Sequence, residues 1–175
     1  MTAFIYDHIH LRSPDAEATA RWYENMFGAE IIRSVQSDGR PRLDLNLGGV
    51  AVFIAQVPPE QAVAAPPEPP YLGLEHIGLR VDGIDRVVAE LKQKGAEFTV
   101  EPKTIRPGVR IAFLRGPQNV HIELLDRNAA GHSLPPPAKK RVSSRLRGSP
   151  AARSDPTSRH LFAEFAQSFR FERRT

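Results

Sequence analysis

Cysteine is absent from the chain, so no disulfide can form, no thiolate is on offer, and any bound metal must be held by nitrogen and oxygen donors. Long apolar runs are absent too: nothing approaches the about eighteen residues that a membrane span requires, and no membrane partner is expected. The opening Met1-Thr2-Ala3-Phe4-Ile5-Tyr6-Asp7 lacks the basic stretch and the apolar stretch of a secretory signal, which makes the cytoplasm the expected compartment. Excess positive charge is missing where a fold is expected. Residues 1–127 hold 14 Lys and Arg against 17 Asp and Glu, whereas residues 128–175 hold 10 against 3. The net charge of +4 and the pI of 9.8 therefore belong to the tail, and the folded part is not expected to bind nucleic acid.

What is present is one unit written twice. His8-Ile9-His10-Leu11-Arg12 returns 68 positions later as His76-Ile77-Gly78-Leu79-Arg80, and Gly28-Ala29-Glu30 returns 67 positions later as Gly95-Ala96-Glu97. Each unit reads strand, helix, strand, strand, strand. In the first, residues 5–11 are β-branched and apolar with interleaved histidines. A helix then starts at Ser13-Pro14-Asp15, carries Ala16, Ala20, Trp22, Tyr23, Met26 and Phe27 at helical spacing, and stops at Gly28. Strands follow at 29–36, 42–47 and 50–56, the last two joined at Gly48-Gly49. Six of the sixteen prolines fall between 57 and 70, which makes 57–73 a stiff linker between module one (4–56) and module two (74–126). Module two reads as a strand at 74–81, a helix at 84–94, and strands at 97–101, 109–115 and 119–125. The domain thus spans 1–127. Residues 128–175 form a basic tail rich in Pro, Ser and Arg, expected to be mostly disordered, with one helix-like stretch at 158–171 carrying Leu161, Phe162, Phe165 and Phe169.

The repeat brings chemistry-bearing residues into equivalent places. His8 and His76 correspond, and aligning the last strands sets Glu123 opposite Phe53. A carboxylate in mid-strand among Ile122, Leu124 and Leu125 requires a partner, because an unpaired buried charge is costly. Two imidazoles and a carboxylate suit a hard or borderline divalent ion with open positions for water or substrate. Against this stand plainer readings: a histidine hydrogen-bonded at a strand rim, and Glu123 paired with Arg110 or Arg115. His10 and His121 lie two residues from His8 and Glu123 and so share their faces; either can move a proton or merely orient ligands. Arg80, which repeats Arg12, and Arg110 are candidates to receive an anionic arm, unless they are solvated or paired with surface acids.

The stretches Asp7-His8-Ile9-His10-Leu11, Trp22-Tyr23, Glu75-His76-Ile77-Gly78-Leu79 and Asn119-Val120-His121-Ile122-Glu123-Leu124-Leu125 resemble the vicinal oxygen chelate superfamily, which contains glyoxalase I, methylmalonyl-CoA epimerase, extradiol dioxygenases and the bleomycin and fosfomycin resistance proteins. The resemblance spans residues 4 to 126. It implies an α+β fold, two tandem βαβββ modules forming a half-open, barrel-like mixed sheet around a metal cleft. It also implies a divalent metal (Ni, Co, Mn, Zn or Fe(II)) held by His8, His76 and Glu123. Phe53 stands where glyoxalase I and the epimerase place a fourth ligand, which makes it a wall for substrate instead. The implied activity is that of a metal-dependent lyase or isomerase stabilising an enediolate or enolate of a small, anionic, oxygenated substrate, with Glu123, His10 and His121 as catalytic groups. An Fe(II) extradiol-type dioxygenase and a metal-free drug-binding resistance protein are the alternatives. A small-molecule substrate is the expected partner, and a homodimer stays open.

Overall fold

Alternation of apolar and polar residues along the strands, interrupted once per module by a helical period, produces the same architecture twice. In the computed structural model, which describes residues 4–127, the first module runs β1 (His8–Ser13), α1 (Ala16–Phe27), β2 (Glu30–Val35), β3 (Pro41–Leu47) and β4 (Val50–Gln56). The second runs β5 (Ile77–Val81), α2 (Ile84–Gln93), β6 (Glu97–Arg106), β7 (Val109–Arg115) and β8 (His121–Arg127), with a short 3-10 turn at Pro117–Asn119. Each module forms an open four-stranded mixed sheet, ordered β1-β4-β3-β2 and β5-β8-β7-β6. In both, the first and last strands of the module pair in parallel and the other neighbours are antiparallel. The α+β fold of two tandem modules is the one the sequence implies. The tail from 128, with its helix-like stretch, lies outside the described residues.

One face of each sheet carries the helix and the apolar residues. Leu45, Val52 and Ile54 pack under Ala20 and Tyr23 of α1, and Ala112, Leu114, Ile122 and Leu124 pack under Ile84, Val88 and Leu91 of α2. These residues belong to one continuous apolar cluster, so the two modules share a core. Contacts at its margin fasten them together: Trp22 lies against Gly116, Thr19 Oγ1 donates to Gln118 Oε1 at 3.1 Å, and Lys94 Nζ donates to the Asn25 carbonyl at 2.6 Å.

Both helices are anchored by the last strand of their own module. Asp15 caps α1 conventionally, accepting from the Ala18 N–H at 2.9 Å, but the Ala16 N–H is taken by Gln56 Oε1 at 2.8 Å, from the end of β4. At the start of α2 stands Gly83, with φ of +74 and no side chain to offer. Asp126, at the end of β8, supplies the cap instead: its Oδ2 accepts from the Gly83 and Ile84 N–H groups, each at 3.0 Å. Gln56 and Asp126 are separated by the same 70 positions that separate Phe53 and Glu123.

The strands differ from expectation most at three ends. β1 and β5 start at His8 and Ile77, later than 5 and 74, because their parallel partners run out. In the register that sets His8 beside Ala51, residues 5 and 6 would meet the Gly48-Gly49 turn. Phe4, Ile5 and Tyr6 are left 93, 90 and 67% exposed. β6 runs past 101 to Arg106, because register shifts on either side of Lys103 absorb the missing N–H of Pro102.

Candidate metal centre

The face of each sheet turned away from the core carries the histidines, since His8 and His10 alternate with Ile9 and Leu11, and His121 and Glu123 with Ile122 and Leu124. Two clusters result. In module one His8 stacks on Phe53 with ring centroids 4.0 Å apart, His10 meets the same ring edge-on at 6.5 Å, and the Arg42 guanidinium covers Phe53 at 4.2 Å. Arg42 is itself held by Asp44 at 2.7 Å. His8 Nδ1 bonds to Asp7 Oδ1 at 2.6 Å, leaving Nε2 as the nitrogen open to another partner.

In module two His76 Nε2 lies 3.6 Å from Glu123 Oε2, a spacing that admits a cation shared between them. Glu75 organises the cluster. It bonds to His76 Nδ1 through Oε2 and to His121 Nδ1 through Oε1 at 3.0 Å. The bond from His76 and that from His121 hold the Glu75 carboxyl below the usual carboxylate range, against an opposing effect of burial. His121 Nε2 reaches Thr99 Oγ1 at 3.4 Å, and the His121 ring stacks on Phe113 at 4.6 Å. A cavity of 260 Å³ opens beside it, lined by Thr99, Arg115, Asn119 and His121.

Among the cross-strand pairs that differ between the modules, one bears directly on the site. His10 pairs with Phe53 in the first, and Gly78 pairs with Glu123 in the second. A Cβ on Gly78 would come within 3.5 Å of Glu123 Oε2, so losing the histidine there makes room for the carboxylate.

Of the expected metal ligands, the structure brings His76 and Glu123 together and leaves His8 in the other cluster. Among the described residues no three of His, Asp and Glu stand together as a cation-holding group. Phe53, His10 and His121 lie on the histidine faces. Arg80 follows Gly78 by two residues on β5 and borders a 470 Å³ cavity at the seam between α1 and α2. Arg110 alternates with Ile111 onto the helix side of β7, where it makes a two-pronged ion pair with Asp85 at the start of α2. That contact lowers the Asp85 pKa and raises that of Arg110. Glu75, Asp7, Thr99 and Phe113 were not singled out from the sequence. The signal for the first two was there, since an acid precedes the histidine in both copies of the repeat.

Residues 5–124 match the family model described as the Glyoxalase/Bleomycin resistance protein/Dioxygenase superfamily. The uncharacterized protein YwkD of Bacillus subtilis is 30% identical over 127 residues, covering 69% of this chain and 94% of the relative. Among solved structures, a glyoxalase family protein from Enterococcus faecalis is 26% identical with a TM-score of 0.55, covering 70% of this chain and 97% of its own. A glyoxylase/bleomycin resistance protein/dioxygenase domain from Frankia sp. EAN1pec, at 21% identity, shares the fold with a TM-score of 0.57 over 72% of this chain and 99% of its own.

Proposed function

Because the chain belongs to the Glyoxalase/Bleomycin resistance protein/Dioxygenase superfamily, we propose that it is a divalent-metal lyase or isomerase acting on a small, anionic, oxygenated substrate at a carbon beside a carbonyl. The observation that carries this reading is the His76–Glu123 pair at 3.6 Å with Glu75 engaged on the other imidazole nitrogen. A carboxylate bonded to Nδ1 fixes the tautomer and aims the Nε2 lone pair outward, the arrangement found behind metal-ligating histidines. Asp7 does the same for His8. The donor chemistry therefore fits a divalent cation, with His8, His76 and Glu123 as its ligands.

A divalent ion held by these residues would supply Lewis acidity toward substrate oxygen. The protein's own groups do the rest. His121 takes up or returns a proton at Nε2, its ring fixed by Glu75 on one side and Phe113 on the other; His10 is the alternative proton carrier from the first cluster. Phe53 forms an apolar wall that excludes water from one side.

One observation favours a second reading. With Phe53 where a fourth ligand would stand, the set is two histidines and one carboxylate, which also suits an Fe(II) dioxygenase. Metal analysis of protein purified without chelator separates the two: nickel, cobalt, manganese or zinc supports the lyase or isomerase, oxygen-sensitive iron the dioxygenase, and a metal-free protein a binding role. Unchanged metal content in His8→Ala, His76→Ala and Glu123→Ala refutes the ligand set.

A further inference from the structure

We infer that the 470 Å³ cavity at the seam of the two modules is a second binding site, for a small amphipathic anion: an aromatic ring system carrying a carboxylate. Its apolar walls lie on the other side of the sheet from the histidines. Leu79 and Leu124 pair across β5 and β8 and alternate with Gly78 and Glu123 onto the core side. Val87 and Leu91 of α2, Phe27 at the end of α1 and Leu47 at the end of β3 complete a lining drawn from both modules. Protein interiors pack about as densely as organic crystals, so an opening of this size in the seam needs a cause. Apolar walls with a few polar groups at the rim are also the form that small-molecule sites take, at volumes of about 300–1,000 Å³.

The repeat supplies the cause. The buried Ala16, Ala20 and Tyr23 of α1 correspond, 68 positions on, to the buried Ile84, Val88 and Leu91 of α2, and the same offset sets Glu90 where α1 has Trp22 and Val87 where it has Thr19. In one half of the seam Trp22 covers the turn that follows β7, with Cη2 3.6 Å from the place of a Cβ on Gly116, and Thr19 bonds to Gln118 of that turn. In the other half the turn that follows β3 contributes Leu47 and Gly48, and α2 brings Val87 and Glu90 but no aromatic ring. Space that an indole fills on one side is open on the other, and an aromatic ligand replaces the missing ring. The rim sets the head group. Of the charged residues that line the cavity, Arg80 and Lys94 are cationic, and Glu90 is paired with Arg86 at 2.8 Å. Lys94 Nζ donates to the Asn25 and Met26 carbonyls at 2.6 and 3.4 Å; an ammonium has three donors, so one remains for a carboxylate.

Naphthylacetate and its uncharged amide serve as probes. Titration calorimetry of the full chain is expected to show one naphthylacetate bound per chain, and naphthylacetamide bound about tenfold more weakly. Lys94→Met is expected to erase that preference. Glu90→Trp, which gives α2 the residue α1 has, is expected to fill the cavity and abolish binding, whereas Glu90→Gln retains it. Methyl NMR of the wild type gives a reading that does not depend on a variant folding: naphthylacetate is expected to shift Val87, Leu91 and Leu124, while the ring signals of His76 and His121 stay in place. An absence of binding, equal binding of acid and amide, a preference kept in Lys94→Met, wild-type binding in Glu90→Trp, or shifts centred on His76 and His121 each overturns the inference. So do nuclear Overhauser contacts in the free protein from the Val87 methyl groups to Phe162, Phe165 or Phe169, or to a differently labelled second chain, since protein then fills the cavity.

Discussion

Replacing Asp126 tests whether β8 holds α2 in place. Its Oδ2 accepts two backbone N–H groups at 3.0 Å, and the residue is 2% exposed. In Asp126→Ala both bonds are lost. The Gly83 N–H is on an exposed residue and regains water, but Ile84 is 0% exposed, so its N–H is left dry. One hydrogen bond to an ionised acceptor contributes about 1.5–3 kcal/mol and a dry orphan donor costs about 1–3 kcal/mol, giving a loss of about 2.5–6 kcal/mol for Ala. Asp126→Asn keeps an acceptor oxygen and loses the charge at the helix N-terminus, about 1 kcal/mol. It also puts an amide NH2 where the carboxylate Oδ1 now sits buried without a hydrogen-bond partner, so its expected loss is about 1–2 kcal/mol. At about 2–8 °C per kcal/mol for domains of this size range, thermal melting by circular dichroism resolves the order wild type, Asn, Ala. Hydrogen exchange adds location: protection is lost first in the opening turn of α2. An Ala variant that melts within about 2 °C of wild type, with that turn still protected, refutes the reasoning. Gln56→Ala, which removes one neutral acceptor from the equivalent N–H, is expected to lose only about 1 kcal/mol.

Glu75→Gln leaves the fold intact but releases His76 and His121, and a metal titration is expected to show affinity reduced by about 10–100-fold; unchanged affinity removes Glu75 from the site. Asp85, whose pKa is lowered chiefly by its hydrogen bond from Arg110, stabilises the fold above its unfolded pKa, and this contribution disappears as pH falls through the lower folded value. Acid unfolding curves of wild type and Asp85→Asn should therefore differ at neutral pH and converge in strong acid; parallel curves contradict the pairing. Phe53→Glu, which gives module one the residue module two has at the equivalent place, is expected to supply a fourth donor and tighten metal binding, read by competition with a chelator. Gly78→His makes the converse change, crowds Glu123 Oε2 and is expected to weaken binding.

The duplicated fold was legible because both kinds of signal were local: strand alternation, and turn residues at repeated offsets such as Gly28 and Gly95. The ends of β1 and β5 were not, because apolar residues at 4–6, 72 and 74 satisfy a strand pattern whether or not a partner strand reaches them. His76 and Glu123 were found through the repeat, and their proximity follows from adjacent parallel strands. That His8 would stand apart was not legible. Equivalence in a repeat states which residues a twofold relates, and is silent on whether the axis runs through one chain or between two. Arg110 looked available because its partner Asp85 sits 25 positions away on another element, a pairing made only by the helix packing on the sheet.

The exchange of His10 and Phe53 for Gly78 and Glu123 bears on stereochemistry. Had the two modules kept the same pair, a cleft built from one of each would present identical groups to both faces of a bound molecule, and a prochiral centre could enter either way round. With an aromatic ring on one side and a carboxylate on the other, the two faces of a substrate carbon meet different surroundings. A substrate held between two such surfaces would therefore be favoured in one orientation, at a strand pair where the repeat has diverged.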